Sequence, residues 1–64
     1  MLTLEERGGY SWTLRGTEED VKKQPQTVDK QQIPINSVIY MQDKEAVAYL
    51  DEDRVWKRKG VPIV

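Results

Sequence analysis

The chain has 64 residues, a third of them charged, with a formal net charge of −1, no cysteine and no histidine. Disulfides are excluded, a zinc site is argued against, the usual general base of neutral-pH catalysis is missing, and no global basic field is present to gather nucleic acid. A chain this short buries only about 60% of its unfolded surface, so it must find a tight small core or a partner.

Residues 1–9 carry Leu2 and Leu4 on one side of a short strand or a single amphipathic turn, and Gly8-Gly9 breaks either element. Tyr10 to Arg15 alternates strictly, with Tyr10, Trp12 and Leu14 on one face, as a half-buried strand requires. Thr17 to Lys23 predicts one or two helical turns: Thr17 caps, Glu18-Glu19-Asp20 occupy the positive end, Lys22-Lys23 the negative end, and Pro25 limits the length. Residues 24–32 are glutamine-rich with almost nothing to bury, and read as an extended or mobile connection ordered by a partner.

The C-terminal half, 37–59, reads as three strands with charged turns at Asp43-Lys44-Glu45 and Asp51 to Arg54, each a loop of three to five residues. Val38 and Tyr40 share one face and Ile39 and Met41 the other, so this strand is central or covered on both sides. The fold expected is mainly β: a small antiparallel meander of three to four strands with one short helical turn, forming one domain. Most of Trp12, Tyr40, Tyr49 and Trp56 are expected in the core, because large aromatics bury on the order of 150–250 Å² each; the alternative is an exposed aromatic hot spot for a partner, and one or two of them can serve as both, since so small a sheet cannot hide both faces. No apolar run approaches the length of a membrane span, and Met1 to Glu6 does not read as a signal peptide.

Little in the chain suggests chemistry. Nucleophilic triads lack their base. Asp51, Glu52 and Asp53 sit in a turn beside Arg54, where carboxylates are solvated rather than poised as a glycosidase pair, and they lack the alternating ligands and glycine of a calcium loop. Trp56 with Lys57, Arg58 and Lys59 is the one basic–aromatic cluster. It suits stacking on single-stranded nucleic acid, or an inward tryptophan on an edge strand protected by charge. The apolar end Val61, Pro62, Ile63, Val64 either folds back as an edge strand or reaches into a neighbour. The candidate partner-binding residues are therefore Val61, Pro62, Ile63, Val64, Trp56, Lys57 and Arg58. No catalytic, cofactor or metal residues are assigned.

The run Ile33-Pro34-Ile35-Asn36-Ser37-Val38-Ile39-Tyr40-Met41-Gln42-Asp43, followed by Val47, Tyr49, Asp51-Glu52 and Trp56, resembles a β-hairpin module of small virion-associated proteins from tailed phages and prophages of Gram-positive bacteria. Asn36 stands at that module's glycine, and Lys44-Glu45 replaces its Thr-Gly turn. The resemblance implies a non-enzymatic structural or accessory protein with no cofactor, acting through a protein partner or self-association. Such a protein would be found in the host cytoplasm during assembly and then in the virion. A nucleic-acid-binding β module, or a regulatory mini-protein that captures a host protein, are the alternatives; no membrane association is expected.

Overall fold

A computed structural model describes all residues, Met1–Val64. Its elements in chain order are β1 (Thr3–Arg7), β2 (Trp12–Gly16), α1 (Glu18–Lys22), β3 (Thr27–Val28), β4 (Gln31–Gln32), β5 (Val38–Met41), β6 (Ala46–Leu50), β7 (Trp56–Arg58) and β8 (Val61–Pro62). The protein is mainly β, but with more strands than the three to four expected: a six-stranded sheet in the order β1-β2-β5-β6-β7-β8, plus the two-stranded β3-β4 ladder. The sheet is mixed. β5 to β8 form an antiparallel meander, whereas β2 and β5 run parallel. Periodicity marks a strand without naming its neighbour, which is why the parallel junction was not legible.

That junction is extended at both ends by groups outside the ladder. The Trp12 amide donates to the buried Ser37 Oγ at 2.9 Å, and the Gln42 amide donates to the Gly16 carbonyl at 3.0 Å. Ser37 therefore does backbone work where the parallel pairing begins. Parallel pairs need a crossover, and here residues 17–37 supply it, carrying α1 and the β3-β4 ladder across one face of the sheet.

The helix forms where its caps predict. Thr17 Oγ1 accepts from the Asp20 amide at 3.3 Å, and the Asp20 carboxylate accepts from the Thr17 amide at 3.0 Å, a reciprocal capping box. The Thr17 amide is the main reason that the Asp20 carboxyl titrates below its ordinary range. A helix of five residues has little stability of its own; it is held by this cap and by Val21, its one buried residue. Thr17→Ala is expected to cost about 1 kcal/mol of stability, read as a lower urea midpoint at unchanged slope.

One face of the sheet carries Leu14, Ile39, Met41, Ala48, Leu50 and Trp56 into a core closed by Val21 and Ile33 from the crossover. Segment 24–32, expected to be an extended or mobile connection, is ordered within the chain. Asp29 and Lys30 both take positive φ, 51° and 65°, the backbone of a two-residue type I′ turn, and Thr27↔Gln32 and Val28↔Gln31 pair across it. Its glutamines act as backbone surrogates. Gln24 Oε1 accepts from the Trp56 amide at 2.6 Å, while its Nε2 donates to the carbonyls of Trp56 and Ile63. Gln26 Nε2 donates to the Arg54 carbonyl and its Oε1 accepts from Arg54 Nε at 2.7 Å. Composition counts these amides as solvated; the fold uses them to bond strand ends that no further strand reaches.

Candidate interaction face

Each core strand alternates, so the residues between the buried ones line the opposite face of the sheet. No element covers the middle of that face. Two rows cross it, set by the register. One runs Arg15, Tyr40, Val47; the other runs Thr13, Val38, Tyr49, Lys57, Pro62. At the centre, β5 and β6 present a two-by-two block in which tyrosine and valine alternate: Tyr40 beside Val47, and Val38 beside Tyr49. Tyr49 is 56% exposed. The expectation of a core place for most of the four large aromatics is met by the two tryptophans and not by the two tyrosines. Trp56 is fully buried, and Trp12 is half-buried at the core's margin beneath the Arg7 guanidinium, 5.0 Å from its ring. Tyr40 and Tyr49 lie on the open face. The physical reason is strand parity: each tyrosine stands between two buried neighbours and must point away from them.

Ion pairs flank the block. Arg15 Nε donates to Glu5 Oε1 at 2.7 Å, and its guanidinium lies 5.4 Å from the Tyr40 ring. That hydrogen bond to Glu5 holds the Arg15 guanidinium above its already high range. On the other flank, Lys57 Nζ reaches Asp53 Oδ2 at 2.9 Å and Asp51 Oδ2 at 3.1 Å. The hydrogen bond to Asp53, then that to Asp51, pushes the Lys57 ammonium up. The Glu52 amide, then Lys57, holds the Asp51 carboxyl below the ordinary carboxylate range. The turn acids thus brace their own hairpin, since Asp51 Oδ1 also accepts from the Glu52 amide and Asp53 Oδ1 from the Val55 amide.

These shifts fix a pH dependence. A carboxylate whose folded pKa is depressed contributes stability above its unfolded pKa and loses it as pH falls through the folded value. The 51–54 turn is therefore expected to loosen only below the usual carboxylate range. The amide shift of Glu52, which donates to Asp51, followed by NMR titration, should hold steady near neutrality and move in strong acid. A change centred near neutral pH would contradict the assignment.

The residues singled out from sequence are divided between the two sides of the molecule. Trp56 is enclosed, its Nε1 donating to the Pro25 carbonyl at 2.7 Å. Lys57 lies on the open face with its charge engaged. Arg58 is exposed at the end of β7. Val61 and Pro62 form the edge strand β8, joined to β7 by a Lys59-Gly60 turn with both residues at positive φ. Val61 and Val64 are 64% and 85% exposed, whereas Ile63 packs on the core and its amide donates to the Trp56 carbonyl. A shallow groove of about 640 Å³ runs along β6 and the β7–β8 turn, with Val47, Tyr49, Lys57, Arg58 and Lys59 among its walls. Sequence reasoning missed Tyr49, Val47, Val38 and Tyr40 as surface. The signal lay in strand parity: Val47 and Tyr49 share one side of β6, and Ala46, Ala48 and Leu50 the other. The chain matches no protein-family model, no curated protein and no solved structure at a significant level.

Proposed function

We propose that the chain is a small non-enzymatic structural or accessory protein of a phage-type particle, working through protein–protein contacts. The observation that carries this reading is the uncovered sheet face. It holds a contiguous block of Val38, Tyr40, Val47 and Tyr49, bordered by charges already paired within the chain. An apolar centre with an aromatic anchor and a polar rim is the usual anatomy of a protein interface. The particle context rests on the resemblance of residues 33–56 to the virion-associated module. On this reading the protein accumulates in the host cytoplasm and then enters the particle.

Density-gradient fractionation of lysates from the strain that encodes the chain tests the proposal. The protein is expected in the particle peak, and Tyr49→Ser, a change at a half-exposed position, is expected to remove most of it from that peak while leaving circular dichroism unchanged. Wild-type protein confined to the top of the gradient would sink the reading. A second reading, single-stranded nucleic-acid binding, draws on Arg58 and Lys59 standing beside Tyr49 in the groove. It is the weaker one, because Trp56 is enclosed and the charge of Lys57 is taken up by Asp51 and Asp53. It predicts salt-dependent binding of a labelled oligonucleotide, lost in the Arg58→Ala/Lys59→Ala double variant.

A further inference from the structure

We infer that the first partner of the open face is a second copy of the same chain, packed face to face about a two-fold axis that runs along the β5–β6 seam, parallel to the strands. The inference rests on the reading of this face as a protein-contact surface and adds the identity of the contact. Three observations carry it.

The first is the position of the seam. With the order β1-β2-β5-β6-β7-β8, it has three strands on either side. A two-fold there lays β5 of one copy over β6 of the other, β2 over β7, and β1 over β8, so the whole face overlaps.

The second is shape. The axis exchanges β5 and β6 without changing height along the strands. Since Tyr40 is level with Val47 and Val38 with Tyr49, each tyrosine of one copy meets a valine of the other: Tyr40 on Val47, Tyr49 on Val38. Large residues oppose small ones at all four central positions. Such an interface is isologous, the commonest kind in homodimers.

The third is area, and the charges at the edge of the face supply a test. Arg15 is level with Tyr40 and holds Glu5, while Lys59 lies opposite Val47 where β7 turns into β8. The axis lays β2 over β7 without changing height, so Arg15 of one copy, its charge engaged by Glu5, stands over Lys59 of the other. Lys59 is exposed and outside every ion pair of the chain, so this contact adds nothing to the dimer, whereas Lys59→Glu would bring a carboxylate to Arg15. The two long dimensions of the molecule are 25 and 23 Å. A face of that size contributes at most about 600 Å², and two contribute about 1,200 Å², the lower end of what specific interfaces bury. The dimer is accordingly weak and concentration-dependent.

Sedimentation velocity of the full chain from roughly 10 µM to 1 mM, the range suited to an interface of that size, tests the inference. The wild type is expected to pass from monomer to dimer within it. Tyr49→Ser is expected to raise the midpoint at least about tenfold. Lys59→Glu sets a carboxylate against Arg15 of the other copy and should tighten the dimer, and adding Arg15→Glu to it should undo that gain, a reciprocal effect that a merely structural change would not give. A wild-type monomer throughout, a dimer indifferent to Tyr49→Ser, or a dimer that Lys59→Glu does not tighten would each overturn the inference. Its failure is separable from that of the proposed function. A solution monomer whose Tyr49→Ser variant still drops out of particles removes the second copy and leaves the particle role. A solution dimer absent from particles does the reverse.

Discussion

Trp56→Ala is expected to leave the protein largely unfolded at room temperature. Trp56 is the largest fully buried side chain, and truncating a buried tryptophan costs about 3–5 kcal/mol. Native domains hold only about 5–15 kcal/mol in total, and a chain of this length sits at the low end. The loss includes the hydrogen bond from Nε1 to the Pro25 carbonyl, 2.7 Å long, which helps hold residues 24–32 against the sheet. Trp56→Phe separates the two contributions. It keeps most of the packing and orphans the Pro25 carbonyl, so its cost should fall to about 1–3 kcal/mol. Urea unfolding followed by circular dichroism measures both. A Trp56→Ala variant with near wild-type stability would show that the core does not depend on this ring.

Gln24→Ala is expected to be the second most damaging change, at about 2–4 kcal/mol, although nothing in the composition marks this residue. Its amide serves three backbone groups: the Trp56 N–H and the carbonyls of Trp56 and Ile63. Removing it leaves the Trp56 N–H and the Ile63 carbonyl without this partner, while the Trp56 carbonyl keeps the Ile63 amide, and each unmet group costs about 1–3 kcal/mol, reduced where water can enter. Gln24 also takes positive φ, 51°, a strained conformation for a residue with a side chain. Gln24→Gly is therefore expected to be milder than Gln24→Ala, because it loses the same hydrogen bonds but relieves the backbone. Native-state hydrogen exchange gives a second readout: the Trp56 amide should lose its protection in either variant. Protection of that amide at the wild-type level would show that Gln24 is not its partner.

Both changes fall on the joint between the crossover and the end of the sheet. They test folding rather than recognition. The open face is tested by Tyr49→Ser, at a site where a side chain can change without opening a cavity. A division between core-facing changes that unfold and open-face changes that only dissociate is the pattern expected of a sheet with one side buried.

Much of the local structure was written in the sequence. Alternation through Trp12 to Arg15, the cap at Thr17, the apolar runs of β5 and β6, and charged turns of the right length all follow from short-range rules, because each depends on neighbours a few residues apart. The mainly β class follows from them. Residues 24–32 were not legible, since glutamine carries no hydropathy signal and acts here by copying a backbone amide on a strand more than thirty residues away. The candidate face was half legible: Val38 and Tyr40 were seen to share a side, but nothing local says which side of a strand meets the core when both are apolar.

The residues alone therefore determined that this is a small, cysteine-free and histidine-free β protein with a capped helical turn and a C-terminal meander. Tertiary structure decided the rest. The parallel pairing of β2 with β5 places Leu14 beside Ile39 and Gly16 beside Met41, and that choice, together with the crossover lying on the same side, makes one face the core. With a side-chain period of two, everything between those residues had to point the other way, and Tyr40 and Tyr49 became surface.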